Sequence, residues 1–257
     1  MTLITLEKDG HVALAKIDHP PANALSTKLI EEVDQLLTKV EHDEEVRVVV
    51  LCGEGRFFSA GADIKEFTTV ETGEEFSELS AKGQEVFERL ESFSKPIIAS
   101  IHGAALGGGL ELAMACHIRL VTKSAKLGLP ELQLGLIPGF AGTQRLPKLV
   151  GVAKAAEMML TSDPISGEEA VQWGLANHAY TDEELMEATL KLAKKISQKS
   201  PIAMKHALHM LSYSKDPSYY NGVEAEAKSF GEVFVSADAK EGIQAFIEKR
   251  QPTFIGK

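Results

Sequence analysis

Cysteine, long apolar runs and positive charge are what this chain has least of. Its 257 residues hold two cysteines, Cys52 and Cys116, and 27 Lys and Arg against 37 Asp and Glu. A net charge of −10 is the wrong sign for a broad nucleic-acid surface, which relies on clustered cations to displace counterions. It leaves room for an anionic small molecule at a local basic edge. The longest stretch without Asp, Glu, Lys or Arg runs from 96 to 110, shorter than the roughly 18 apolar residues of a membrane span. Glu7, Lys8 and Asp9 interrupt the N-terminus before a signal-peptide core forms, so a cytoplasmic protein with no membrane partner is expected. In that compartment Cys52 and Cys116 are expected to stay reduced. Also missing are a Gly-x-Ser-x-Gly elbow, a His-Glu-x-x-His pair and a phosphate loop ending in Gly-Lys-Ser/Thr. His206 and His209 could share a helix face, but no third ligand stands near them, and no metal is expected.

What is present reads as an α/β chain. Two short strands flank Asp9 and Gly10, a hairpin signal, and Pro20 and Pro21 break regular structure after them. Ser26 can cap a helix whose Leu29, Ile30, Val33, Leu36, Leu37 and Val40 recur at helical spacing. Buried strands are predicted at 47–52 and 96–102, a long helix at 74–93, a flexible turn at 103–109, a short helix at 110–116 and a strand at 118–122. From Gly139 the pattern turns mainly helical, with Pro201 and Pro217 suited to first helical turns. Leu185, Thr189, Leu192 and Ile196 form one stripe, and Val223, Ala227, Phe230 and Phe234 another. The expectation is a core over 1–195 followed by a helical region over 196–257.

Two glycine-containing turns follow buried strands. One is SAGADIK at 59–65; the other is ALGGG at 105–109, opening the short helix that carries Glu111. Small residues admit a ligand close to the main chain, and free N–H groups at a helix start favour an anionic oxygen. If the turns converge, one N–H from each makes an oxyanion hole; from the glycines alone, tight strand–helix packing is the favoured reading. Glu111 and Glu131 both sit among apolar neighbours, which raises a carboxyl pKa toward the range useful for acid–base work. Two facing carboxylates can hold one water. By spacing alone, a helix cap for Glu111 and an ion pair for Glu131 stand level with that reading.

Four stretches carry a resemblance: SAGADIK at 59–65, IHGAALGGGLELAMA at 101–115, LGLPELQLGLIPGFAGTQRL at 127–146, and SADAKEGIQAFIEKRQPTF at 236–254. They resemble, in order, the three core motifs and the C-terminal signature of the enoyl-CoA hydratase/isomerase, or crotonase, family. The resemblance covers nearly the whole chain and is weakest around 68–90. It implies a spiral of ββα units with a C-terminal helical region for trimerisation, giving a homotrimer or a homohexamer built as a dimer of trimers. It also implies a coenzyme A thioester as substrate, with no separate cofactor.

Carried over residue by residue, the N–H groups of Ala62 and Gly108 would be the oxyanion donors. Ala60, Asp63, Ile64 and Lys65, with Ala22 and Ala24 nearby and Leu106 from the second turn, would contact the CoA or acyl parts. Phe140 would line the acyl pocket. Phe246 and Lys249 match positions that complete the CoA site, from the same subunit or a neighbour. Family hydratases carry Glu at both positions held here by Glu111 and Glu131, whereas simple isomerases keep only the second. The implied reaction is reversible syn addition of water to a trans-2-enoyl-CoA, giving a 3-hydroxyacyl-CoA, with Glu111 as chief base and Glu131 as chief proton donor. The alternatives are a Δ3,Δ2-enoyl-CoA isomerase or another acyl-CoA enzyme of the family and, in another class, an RNA-binding or non-catalytic member. The acidic balance speaks against RNA. Two departures stand out: His117 where relatives often have Asp, and Phe140 where hydratases commonly have a small residue.

Overall fold

The computed structural model describes residues 2–67, 72–213 and 236–257. Strands β1 (Ile4–Asp9) and β2 (Val12–Ile17) form the expected hairpin, with Gly10 at φ +58° in the turn. Ser26 caps α1 (Thr27–Glu41), its hydroxyl accepting from the Leu29 N–H at 3.2 Å, and the expected six-residue stripe is the buried face. Then follow β3 (Val48–Gly53), the one-turn α2 (Ile64–Phe67), α3 (Gly73–Glu91), β4 (Ile97–Ile101), β5 (Ala104–Leu106), α4 (Gly108–Ala115), β6 (Ile118–Thr122) and β7 (Lys126–Gly128). After a 3₁₀ turn at Glu131–Leu134 come α5 (Gly142–Val150), α6 (Val152–Thr161), β8 (Ile165–Ser166), α7 (Gly167–Gln172), β9 (His178–Tyr180), α8 (Asp182–Ser197), α9 (Pro201–Ser212) and α10 (Ala237–Glu248).

The larger sheet has the order β1-β2-β3-β4-β6-β9, antiparallel only between β1 and β2; the smaller has β5-β7-β8. Strand β4 runs into β5 and β6 into β7, so successive turns of chain each give one strand to each sheet. This is the ββα spiral. Along β3, Val49 and Leu51 enter the main core, while Val48 and Val50 face Leu185 and Ala193 of α8. Both faces of β3 are covered, which is why its sequence is an unbroken apolar run rather than an alternating one.

One detail departs from expectation. The 103–109 segment is not wholly a turn, since 104–106 pair with 126–128 as parallel strands. The chain beyond Gly139 is mainly helical; β8 and β9 lie within it, β9 closing the edge of the larger sheet beside β6. The boundary placed after 195 falls in the last turn of α8, a helix packed on the sheet. Pro201 does open α9. Pro217 and the stripe of Val223, Ala227, Phe230 and Phe234 lie outside the described residues. Cys52 and Cys116 are free and buried, and burial pushes both thiols up to about 12. No helix among the described residues is long and apolar enough to cross a membrane.

Candidate active site

Parallel strands deliver their loops to one end of the sheet, and the two glycine turns meet there. Ser59 bridges to Ala105 and Leu25 to Ala62. The Leu106 N–H donates to the Ser59 carbonyl at 3.1 Å, and the Ser59 hydroxyl to the Asn23 carbonyl at 2.7 Å. Gly61 stands at φ +112°, and a Cβ on it would lie 3.1 Å from the Leu106 carbonyl and 3.9 Å from the Gly108 nitrogen. The turns are therefore in van der Waals contact. Gly108 is the first residue of α4, so its N–H has no partner inside the helix. Among the described residues neither it nor the Ala62 N–H donates to a backbone carbonyl.

Strands β5 and β7 run parallel as neighbours, and this sets the second half of the site. Strand β5 ends at the Gly107–Gly108 turn and β7 ends just before Pro130 and Glu131. Glu131 is thereby laid over the turn: a Cβ on Gly107 would come within 2.9 Å of its Oε1. Glu111 projects from the first turn of α4 into the same cavity, which has a volume of about 180 Å³. That cavity is also lined by Ala62, Gly108 and Phe140.

Glu111 is 1% exposed, and its Oε1 accepts from the N–H groups of Phe140 at 2.8 Å and Gly142 at 2.7 Å. Burial pushes its pKa up to about 7; the Gly142 N–H opposes that rise, the Glu131 charge adds to it, and the Phe140 N–H and Arg145 oppose it. Glu131 is also raised, by burial. Its Oε2 is buried with no protein partner among the described residues, which favours the protonated form. The arrangement is thus a pair of carboxyls, one held at a fixed oxygen by two N–H donors, beside two open backbone N–H groups.

The remaining candidates divide. Ala60 and Ile64 line the cavity. Ala22 abuts this turn, its carbonyl accepting from the Ala60 N–H at 3.0 Å, and the Ala24 carbonyl contacts His19 Nδ1 at 2.7 Å. Asp63 turns back on its own loop, Oδ1 accepting from the Lys65 N–H at 3.1 Å, while the Lys65 side chain is exposed. Leu106 does not line the cavity; its carbonyl lies against Gly61. Phe140 lines it, its ring edge-on to Phe87 at 5.2 Å and against Gly108. The Phe246 side chain lies outside the described residues. Lys249, exposed just past α10, does not line the cavity. Helix α10 and the tail it holds are anchored near the start of β3: the Asp238 carboxylate accepts from the Ile255 N–H at 2.7 Å, and Arg47 Nη2 donates to the Phe254 carbonyl at 2.8 Å. That is the end of the sheet opposite the glycine turns.

The family model for enoyl-CoA hydratase/isomerase matches residues 7–257. The chain belongs to the enoyl-CoA hydratase/isomerase family. It is 56% identical to a probable enoyl-CoA hydratase of Bacillus subtilis, covering 100% of both chains. It is 41% identical to a short-chain-enoyl-CoA hydratase of Clostridium acetobutylicum, over 96% of this chain and 95% of that one. Among solved structures, an enoyl-CoA hydratase from Bacillus anthracis superposes with a TM-score of 0.94 at 37% identity, over 99% of this chain and 100% of that chain.

Within this enoyl-CoA hydratase/isomerase framework, several contributors escaped the sequence reading. The N–H groups of Phe140 and Gly142 come from a loop 29 and 31 residues beyond Glu111. Asn23 is 3% exposed; its Nδ2 donates to the Glu54 and Phe57 carbonyls at 2.9 and 2.8 Å, and its Oδ1 accepts from the His19 N–H. It staples the early loop to the segment that leads into the first glycine turn. In the sequence Gly142 is only a glycine within the 127–146 stretch; that a Cβ there would fall 2.8 Å from Glu111 Oε1 shows only in the fold. His117 satisfies only half of its ring: its Nδ1 accepts the Ile97 N–H at 3.0 Å, burial lowers its pKa to about 4 and keeps it neutral, and its Nε2 is buried without a partner among the described residues.

Proposed function

We propose that the chain is an enoyl-CoA hydratase, adding water reversibly across the double bond of a trans-2-enoyl-CoA to give a 3-hydroxyacyl-CoA. The observation that carries this is the pair of raised carboxyls, Glu111 and Glu131, in one cavity with the open N–H groups of Ala62 and Gly108. The thioester oxygen accepts from those two N–H groups, which stabilises the enolate-like transition state and makes C3 electrophilic. A water held between the carboxyls delivers its hydroxyl to C3. Glu111 takes the water's proton and Glu131 gives one to C2, so the two added groups arrive from the same face. The work needs one ionised and one protonated carboxyl, and burial raises both toward the range where that division is available. CoA is part of the substrate, and the chemistry requires no separate cofactor.

In the same reading Ala60, Ile64 and Lys65 border the CoA chain. The protein assembles as a trimer or a dimer of trimers, in which Phe246 and Lys249 complete a neighbour's CoA site. The placement of the α10 anchors, at the far end of the sheet, supports a neighbour rather than the same subunit.

The test is hydration of crotonyl-CoA, followed by loss of the conjugated absorbance, with wild type, Glu111→Gln and Glu131→Gln. Wild type is expected to hydrate it, and each variant to lose about 10²–10⁴ in kcat. An enzyme that moves a 3-enoyl double bond, adds no water and tolerates Glu111→Gln would be an isomerase instead.

A further inference from the structure

Helix α3 carries Ser80, Gln84, Glu88 and Glu91 at a spacing that puts all four on one face. That face holds the loop leading into α5. Gln84 Nε2 donates to the Gly139 carbonyl at 2.8 Å, and the Ser80 hydroxyl donates to the same oxygen. Glu88 and Glu91 hold Arg145 at 2.7 and 2.8 Å, and Arg145 Nη1 in turn donates to the Phe140 carbonyl at 2.7 Å. The Gly139 oxygen belongs to the peptide unit whose N–H, that of Phe140, donates to Glu111 Oε1.

We infer that Ser80 and Gln84 are positioning residues for Glu111, acting through the Gly139–Phe140 peptide. A peptide unit is planar, so holding its oxygen aims its N–H. A carbonyl that accepts two hydrogen bonds also polarises the unit and strengthens the N–H as a donor. The recipient is a carboxylate, where such bonds are strongest and favour the ionised form. Ser80 lines the cavity as well, so the helix that walls the site also sets the direction of its base. The kinetic half of this inference rests on the hydratase reading; the structural half does not.

Gln84→Met keeps the length and removes the donor, Ser80→Ala removes the hydroxyl, and Ser80→Thr keeps it. Each donor-removing variant is expected to lower kcat for crotonyl-CoA roughly 3–10-fold, and the two together about 10–100-fold, with KM within about twofold. A weaker or misaimed Phe140 N–H stabilises the ionised form less and raises the carboxyl pKa, so the acid limb of the kcat profile moves to higher pH. Ser80→Thr, which keeps the hydroxyl, is expected to keep the Glu111 titration near its wild-type position. A readout free of turnover is the Glu111 carboxyl titration by infrared difference, with Glu111→Gln as the blank; it is expected to move up in step. Melting curves establish that each variant folds, and Ser80→Ala alone is read if the double variant does not. An unmoved Glu111 titration in the donor-removing variants, a rise in KM at constant kcat, or a Ser80→Thr titration displaced as far as that of Ser80→Ala overturns the inference. A wild type inactive on crotonyl-CoA defeats the proposed reaction while the infrared titration still decides the clamp.

Discussion

At the scale of single residues the site is set by where a side chain is missing. Gly142 approaches Glu111 so closely that a methyl group would sit 2.8 Å from Oε1 and 2.9 Å from Cγ. Gly142→Ala therefore forces the carboxylate off its two N–H donors without touching substrate. A displacement of about 1 Å at a reacting group costs on the order of 10²-fold, and this is the expected loss in kcat. The melting temperature should change little, because a buried acid contributes little stability at neutral pH; steady-state kinetics beside calorimetry checks both. Glu111 and Glu131 were legible as candidates because carboxylates among apolar residues are rare. Their pairing was not, since a helix cap and an ion pair fitted the same letters. What separates these readings is that Glu111 accepts from a distant loop and Glu131 Oε2 has no protein partner among the described residues.

At the scale of elements, legibility followed length and amphipathicity. The six-residue stripe of α1 and the apolar run of β3 are periodic or continuous over enough residues to declare their type. Strands β5 and β7 have three residues each and β8 two, too few to show a period, and they exist because neighbours pair with them. Yet β5 beside β7 is what carries Glu131 to the Gly107 turn. The loops at this end need their own fastening, and Asn23 supplies it from φ +53°, a backbone region Asn tolerates better than Ala. Asn23→Ala strands the Glu54 and Phe57 carbonyls and the His19 N–H. The expected cost is about 2–4 kcal/mol, measured by urea unfolding, together with lower activity as the Ala62 turn loosens.

At the scale of the whole molecule, burying an acid links stability to pH. Glu111 rises from an ordinary value of 4.5 to about 7 in the folded state. The folded protein then binds more protons than the unfolded one between those values. Stability from this group is full below pH 4.5, falls as pH rises toward 7, and is absent above it. Glu111→Gln keeps an amide oxygen for the two N–H donors and removes the charge. It is expected to be more stable than wild type at pH 8, by on the order of 2–3 kcal/mol, and no more stable at pH 4. Denaturant melts at the two pH values check the sign. A variant that is inactive yet harder to unfold at pH 8 is the signature of an acid retained for chemistry.

The net charge, the absence of a membrane-length run, the family and the two glutamates were all determined by the sequence itself. Each depends on which residues are present and in what order, and the four motif stretches keep their order along the chain. The tertiary structure alone decided which N–H groups hold Glu111, which oxygen of Glu131 lacks a partner, and how α3 reaches the loop before α5. Those are matters of burial and direction. A carboxyl's acidity and a hydrogen bond's strength are set by neighbours in space, and here Glu111 draws them from residues 20 to 34 positions further along the chain.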